Sequence, residues 1–258
     1  MIRARIIPCL LLRDRGLVKT RRFRDDRYVG DPINAVKIFN DKFVDELILL
    51  DIDASRDGRG PDFDHLKKIT SECFIPFCYG GGVRHLEDAR RLFSIGVEKV
   101  CVNTAAIHRP ELVRELAEEF GSQSIVVALD VKQGFFGSRR VMLNNGTRKT
   151  GLDPLRYSEQ VVGLGAGELL INSVDRDGEM EGYDLPLLTE VVCRVRVPVV
   201  ACGGAGSLHH MKAAVEAAGV SAAAAGSLFV FKGAHRAVLI NYPDPQTLRE
   251  AFPLHAGS

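Results

Sequence analysis

The sequence predicts an α/β fold: a (β/α)8 TIM barrel assembled from two duplicated half-barrels. Three observations carry that prediction. Strand-like apolar runs alternate with helix-like amphipathic stretches eight times in about 250 residues, the pattern of a closed parallel barrel. One segment occurs twice: Ile75-Pro76-Phe77-Cys78-Tyr79-Gly80-Gly81-Gly82-Val83-Arg84 returns as Val197-Pro198-Val199-Val200-Ala201-Cys202-Gly203-Gly204-Ala205-Gly206. The rest of the chain also resembles itself at an offset of about 120 residues, the mark of an internal duplication. A doubly wound open sheet is the alternative, but it does not predict the repeat. One domain therefore spans 1–258, with half-barrels at about 1–121 and 122–258.

Taken in order, Arg5–Leu11 reads as the first strand and Arg13–Asp31 as a polar loop. Asp31 then caps a helix over Pro32–Phe43, with proline at its first position. Glu46–Ile52 is the second strand, and a loop through Asp53 and Gly60 leads to a helix near Asp62–Ser71. Ile75–Tyr79 is the third strand, followed by a helix near His85–Ser94. Lys99–Val102 is the fourth, and Pro110 opens a helix to about Glu119. The fifth strand is Ser124–Asp130. Gln133–Gly151 contains a hairpin turning at Asn144-Asn145-Gly146, and a helix begins at Asp153-Pro154. Glu168–Asn172 with Asp184–Arg194, Pro198–Cys202 with Ser207–Ala217, and the alanine-rich Ser221–Ala225 complete the series. A last helical segment ends near Ala251.

The formal net charge of +1 excludes a global field that would draw the chain to nucleic acid or to a membrane surface. No apolar run reaches the roughly 18 residues that a membrane helix needs. The N-terminal stretch Met1–Leu12 lacks a small-residue cleavage site and reads as a strand, not a signal peptide. Six cysteines, with no Cys-x-x-Cys pair, argue against a disulfide framework and for a reducing cytoplasm. Cys78 and Cys202 are placed near strand ends at the barrel mouth. Their spacing supports no metal, and no cofactor is expected.

Glycine turns sharply and leaves backbone N–H groups bare, and such amides at the start of a helix bind phosphate. One copy of a short glycine cluster is most simply a tight turn. Two copies in matching contexts point to phosphate binding by Gly81, Gly82, Gly203, Gly204 and Gly206. Asn103-Thr104-Ala105 sits where the second half has Gly226-Ser227-Leu228. Two such sites across one barrel mouth suit an elongated bis-phosphate or a pyrophosphate-containing ligand.

The working face of such a barrel is at the C-terminal ends of its strands. The candidates there are Leu11, Asp51, Asp53, Asp130, Asn172, Asp177 and Cys202. Asp130 ends an apolar strand, where a carboxylate is costly unless it has a role or a partner. It suits a general acid or base with a raised pKa. Equally, it can cap loop amides or pair with Lys132. Asp51 and Asp53 alternate with Leu50 and Ile52, which turns both toward the barrel. Asp177-Gly178 has the composition of a turn. Lys19, with Arg21, Arg22 and Arg24, is either a solvated face or a loop that closes over phosphates. Arg5, Glu46, Lys99 and Glu168 each precede the apolar part of a strand. From spacing alone they are ordinary surface charges at the opposite end of the barrel.

These stretches resemble the cyclase subunit of imidazole glycerol phosphate synthase over nearly the whole chain. The likeness is carried by Arg5-Ile6-Ile7-x-Cys9-Leu10, Gly30-Asp31-Pro32, Asp45-Glu46-Leu47, Leu50-Asp51-Ile52, Gly80-Gly81-Gly82-Val83-Arg84, Asn103-Thr104-Ala105-Ala106, Asp130, Asp175-Arg176-Asp177-Gly178, Gly182-Tyr183-Asp184 and Gly203-Gly204-Ala205-Gly206. The resemblance implies a glutaminase partner on the N-terminal barrel face. Arg5, Glu46, Lys99 and Glu168 would then form a ring at the ammonia entrance. It further implies two phosphates held by the glycine turns with Asn103, Thr104, Gly226 and Ser227. Asp130 would be one of two catalytic aspartates, and Lys19 a loop lysine near the substrate.

Two positions depart from that family. Its second catalytic aspartate belongs at Leu11, where the chain reads Cys9-Leu10-Leu11-Leu12. Leucine moves no proton, and Asp14 lies three residues on in the loop. Cys202 stands where the family often has serine. Loss of one acid beside an intact entrance ring resembles a paralogous branch associated with amidation of sugars in bacterial surface polysaccharides. Cys78-Tyr79-Gly80-Gly81-Gly82, Phe231-Lys232-Gly233-Ala234-His235-Arg236 and Asn241-Tyr242-Pro243 look like that branch too. There the barrel pairs with a glutaminase and supplies ammonia to a separate amidotransferase, which turns an acetamido group on a nucleotide sugar into an acetamidino group. Two other functions remain open at this point. One is a true cyclase of histidine biosynthesis; the other is a non-catalytic module that senses phosphate and activates the glutaminase.

Overall fold

The computed structural model describes residues 3–134, 137–233 and 235–253. Met1 and Ile2, Phe135 and Phe136 of the Gln133–Gly151 stretch, Ala234 of the Phe231–Arg236 motif and residues 254–258 of the second half-barrel expected from the sequence lie outside the described residues. Eight parallel strands close on themselves: Arg5–Arg13, Leu47–Asp51, Phe77–Gly80, Lys99–Val102, Ile125–Gln133, Glu168–Ser173, Val199–Cys202 and Ala222–Ala225. Each pairs with the next, and the last returns to the first, with Arg5 opposite Ala222 and Pro8 opposite Ala225. Tyr242, beyond the eighth strand, ties this seam by donating its hydroxyl to the Ile6 carbonyl at 2.8 Å.

Helices on the outside cover the strands, and the larger core lies between the two layers. A second core fills the barrel with the residues of inward parity, among them Ile7, Cys9, Ile48, Cys78, Val126, Leu170 and Ala224. Aspartates cap the helices. Asp31 accepts from the Asn34 amide at 2.9 Å, Asp153 from Leu155 and Arg156, and Asp62 and Asp184 from the amides three residues on. Each cap satisfies amides that the first turn leaves unpaired. The eighth strand is alanine throughout and fully enclosed. Its poor strand propensity is overridden by the ladders on both sides.

The predicted polar loop Arg13–Asp31 is instead an antiparallel extension. The first strand runs on to Arg13, turns at Asp14-Arg15 into Gly16–Arg21, and turns again at Arg22-Phe23 into Arg24–Gly30. All four turn residues have positive φ, from 47° to 66°. This is the geometry of tight hairpins, normally signalled by asparagine or glycine, and here neither is present. The second arm, Arg139–Leu143 with Arg148–Lys149, does turn at Asn144-Asn145-Gly146, all three with positive φ. Two short helices, Thr104–His108 and Ser227–Val230, begin where the sequence aligned Asn103-Thr104 with Gly226-Ser227.

Candidate active site

A cavity opens at the C-terminal ends of the strands. Gly81 and Gly82 line one side with φ of 129° and 72°; Gly203 and Gly204 line another with φ of 81° and 117°. Side chains are excluded by contact as well as by conformation. A Cβ on Gly82 would stand 2.6 Å from the Arg59 carbonyl oxygen, and one on Gly204 would stand 2.2 Å from that of Gly182. Asn103, Thr104, Gly226 and Ser227 also line the cavity. Gly206 does not. It packs against the Met180 carbonyl and donates its N–H to Nδ1 of His210 at 3.2 Å. That amide is therefore committed within the protein.

Asp130 reaches the cavity from the fifth strand. Asn103 Nδ2 donates to one of its carboxylate oxygens at 2.9 Å and Asn172 Nδ2 to the other at 3.4 Å. Among the described residues it makes no hydrogen bond to Lys132 or to a backbone amide of a loop. Burial raises its pKa to about 7; the two amides pull it down and the charge of Asp177 pushes it further up. Asp130 thus titrates near neutrality, the range in which one group can both take and give a proton. Leu11 lines the same cavity from the first strand, on the opposite side of the barrel from the fifth. Only one of the two facing positions can exchange a proton.

Asp51 and Asp53 do not both turn into the barrel. Inward parity on the second strand belongs to Ile48 and Leu50. Asp51 borders the cavity while accepting from the amides of Asp53 and Ala54 at 3.2 and 3.0 Å. Burial raises its pKa, against the pull of Arg59 and those amides. Asp53 is bound by Arg13 at 2.6 Å, Arg56 at 3.0 Å and Asn145 at 3.2 Å, and is no part of the cavity wall. Alternation counted along a strand fails here because the strand ends at Asp51.

Lys19 is buried, not solvated. Its Nζ lies 2.5 Å from Asp177, which also accepts from the Thr20 hydroxyl at 2.7 Å. The first hairpin is thereby pinned to the loop after the sixth strand, with both Lys19 and Asp177 on the cavity wall. Cys202 lines the cavity beside Cys9. The Cys9 thiol and burial push the Cys202 thiol well above its ordinary range. Cys78 lies deeper than the mouth, completely enclosed. The Cys101 thiol and burial hold it protonated. Among the described residues no group of three or more His, Cys, Asp or Glu side chains is placed to hold a metal ion. Phe23, Asn144 and Asn145 also line the cavity. Sequence reasoning missed all three because they come from hairpins; the Asn144-Asn145-Gly146 run was the available signal and read only as a turn.

At the other end of the barrel, Arg5, Glu46, Lys99 and Glu168 meet in a closed ring. Arg5 bridges Glu46 and Glu168, and Lys99 Nζ bridges the same two carboxylates at 3.0 and 2.8 Å. Both glutamate side chains are 5% exposed or less, so each charge depends on its neighbours. Burial works against the charges of Arg5 and Lys99, but Glu168 and Glu46 outweigh it and raise both pKa values.

A closed barrel with twin glycine turns above and a buried charge ring below defines a class of barrel subunit, and the chain belongs to the histidine biosynthesis protein family, whose model matches residues 5–235. Within it, the chain is of the imidazole glycerol phosphate synthase cyclase-subunit type. It is 53% identical over 248 residues to the "Putative imidazole glycerol phosphate synthase subunit hisF2" of Pseudomonas aeruginosa, covering 96% of this chain and 99% of the relative. It is 49% identical to the similarly named hisF3 of Vibrio vulnificus, covering 98% of each. The corresponding HisF of Leptospira borgpetersenii is 48% identical, covering 98% of this chain and all of the relative.

Proposed function

We propose that the chain is the barrel subunit of a glutamine amidotransferase that carries ammonia to a sugar-modifying enzyme and does not itself close an imidazole ring. A glutaminase docked on the ring face releases ammonia from glutamine. The ammonia passes the ring and the apolar interior as neutral NH3 and leaves through the upper cavity. The acceptor is a nucleotide sugar of bacterial surface polysaccharide. Its acetamido carbonyl condenses with ammonia to an acetamidino group, releasing one water; activating that amide oxygen is the task of the separate amidotransferase. The assembly would work in the cytoplasm.

The single observation that carries this reading is Leu11 opposite Asp130, above an intact ring. Ring closure in the cyclase reaction calls on two facing groups that exchange protons, and of the facing pair only Asp130 can. The positive-φ glycine pairs on the cavity wall support a phosphorylated ligand that regulates the glutaminase. One observation favours true cyclase activity: Asp130 retains a pKa of about 7, suited to serve as acid and base in turn.

The test supplies the chain and a glutaminase with the bis-phosphorylated aminoimidazole-carboxamide ribonucleotide and ammonium salt. Ammonium bypasses the partner, so the assay reads the barrel's own chemistry. The expected result is no imidazole glycerol phosphate, with stimulated glutamine hydrolysis. Formation at an enzyme-like rate would overturn the proposal and return the chain to histidine biosynthesis.

A further inference from the structure

We propose that Arg236 binds the ligand at the second phosphate pole and gives the cavity a direction. The more highly charged, terminal phosphate of an unsymmetrical ligand then seats on Gly203, Gly204 and Ser227, and the other on Gly81, Gly82 and Thr104. This rests on the reading of the two glycine turns as phosphate sites.

Arg236 stands one layer behind the cavity wall. Its Nη2 donates to the Gly178 carbonyl at 2.9 Å and reaches the Ser227 hydroxyl at 3.4 Å, and both of those residues line the cavity. Its Nε is buried without a hydrogen-bond partner. A buried N–H left unpaired is costly, and a guanidinium presents its donors as a fork that matches phosphate oxygens. An anion bound by the Ser227 hydroxyl would share that hydroxyl with the fork, whose Nη2 stands 3.4 Å from it. The side chain is pre-positioned: its guanidinium lies 5.1 Å from the Phe231 ring, and its own carbonyl accepts from Arg27 Nη1 at 2.9 Å.

The pairing of the cations differs between the two poles. Near the first, Arg56 is paired with Asp53 and Asp57 at 3.0 and 3.1 Å, and Arg59 with Asp51 and Asp57 at 3.5 Å each. Arg84 is exposed; like Arg236 and Arg176 it does not line the cavity, but of the three only Arg236 is hydrogen-bonded to residues that do. Near the second, Lys19 is matched by Asp177, whereas Arg236 forms no ion pair among the described residues. Arg176, also free of ion pairs there, gives its Nη1 to the Gly182 carbonyl at 3.1 Å beside Gly204. The same loop also carries the carboxylates Asp175 and Glu181, so the second pole is set apart not by net charge but by the unpaired Nε of Arg236 next to Ser227.

The experiment titrates the 15N-labelled full chain with inorganic phosphate. The amides of Gly204 and Ser227 report the second pole, those of Gly82 and Thr104 the first, and the Nε–H of Arg236 the proposed contact. The Arg236 signal is expected to move on the same isotherm as Ser227, with a Kd at least about fivefold below that of the first pole. Arg236→Gln should raise the second-pole Kd about tenfold or more and leave the first unchanged, with Arg236→Lys between. If phosphate shifts both poles while the Arg236 Nε–H stays still, Arg236 only braces the loop at Gly178 and the proposal fails. It also fails if Arg236→Gln leaves the second-pole Kd intact, or if the first pole binds more tightly. The wild-type signal decides the matter even should the variants not fold. Shifts at neither pole would reject the phosphate reading itself, and the role of Arg236 with it.

Discussion

Asp130 holds a proton in the folded chain over a range where the unfolded chain does not. Its pKa is about 7 when folded and roughly 3.9 when exposed. Between those values the native state binds the extra proton, so stability falls as pH rises from about 4 toward 7. Asp130→Asn removes this dependence. The variant should melt with the wild type near pH 4 and be more stable at pH 8 by up to about 4 kcal/mol; a Tm difference that does not change with pH would contradict the raised pKa. Leu11→Asp tests the facing position. It should raise ring-closing turnover by about 10²–10⁴-fold over the wild-type level, as measured with ammonium salt, at some cost in stability for a half-buried carboxylate. Asp130 and Asn172 were legible in the sequence because a polar residue ending an apolar run marks the working face. Asp53 misled because two of its partners, Arg13 and Asn145, come from the two hairpins, far from it in the chain. Only Arg56 is a sequence neighbour, three residues on; no spacing rule joins Arg13 and Asn145 to Asp53.

Whole elements stand or fall on contacts their sequences only partly show. The ring is a cyclic arrangement of two cations and two carboxylates supplied by the first, second, fourth and sixth strands. Glu46→Gln leaves Arg5 and Lys99 sharing Glu168 alone. It should cost about 3–5 kcal/mol in chemical denaturation, the range for breaking a buried ion pair on one side. From spacing these residues read as plain surface charge, since only barrel closure brings the strands' first residues together. The glycine turns were plain in the sequence, and their tolerance can be put to the test: Gly204→Ala should destabilise the fold by at least about 2 kcal/mol, because its φ of 117° and the Gly182 carbonyl 2.2 Å from the added carbon both resist it. Gly206 belongs to the same motif but serves packing, a distinction that only the position of Met180 reveals. The first hairpin stayed hidden because Asp14-Arg15 and Arg22-Phe23 take left-handed turns without the residues that announce them.

At the scale of the molecule, the fold was legible because alternation and duplication are properties of the entire chain, and local uncertainty over an alanine strand could not overturn them. The seam between the first and last strands has a consequence in time. Arg5–Pro8 is joined along one edge only by Ala222–Ala225, which is translated more than 200 residues later. At about 5–20 residues per second, the opening strand waits ten seconds or more for that neighbour, with one edge unpaired and open to other chains. Arg5 likewise waits for Glu168 before its ring can close. The residue that then fastens the seam, Tyr242, is made later than the eighth strand itself. Until the eighth strand is made, the nascent barrel is an open sheet.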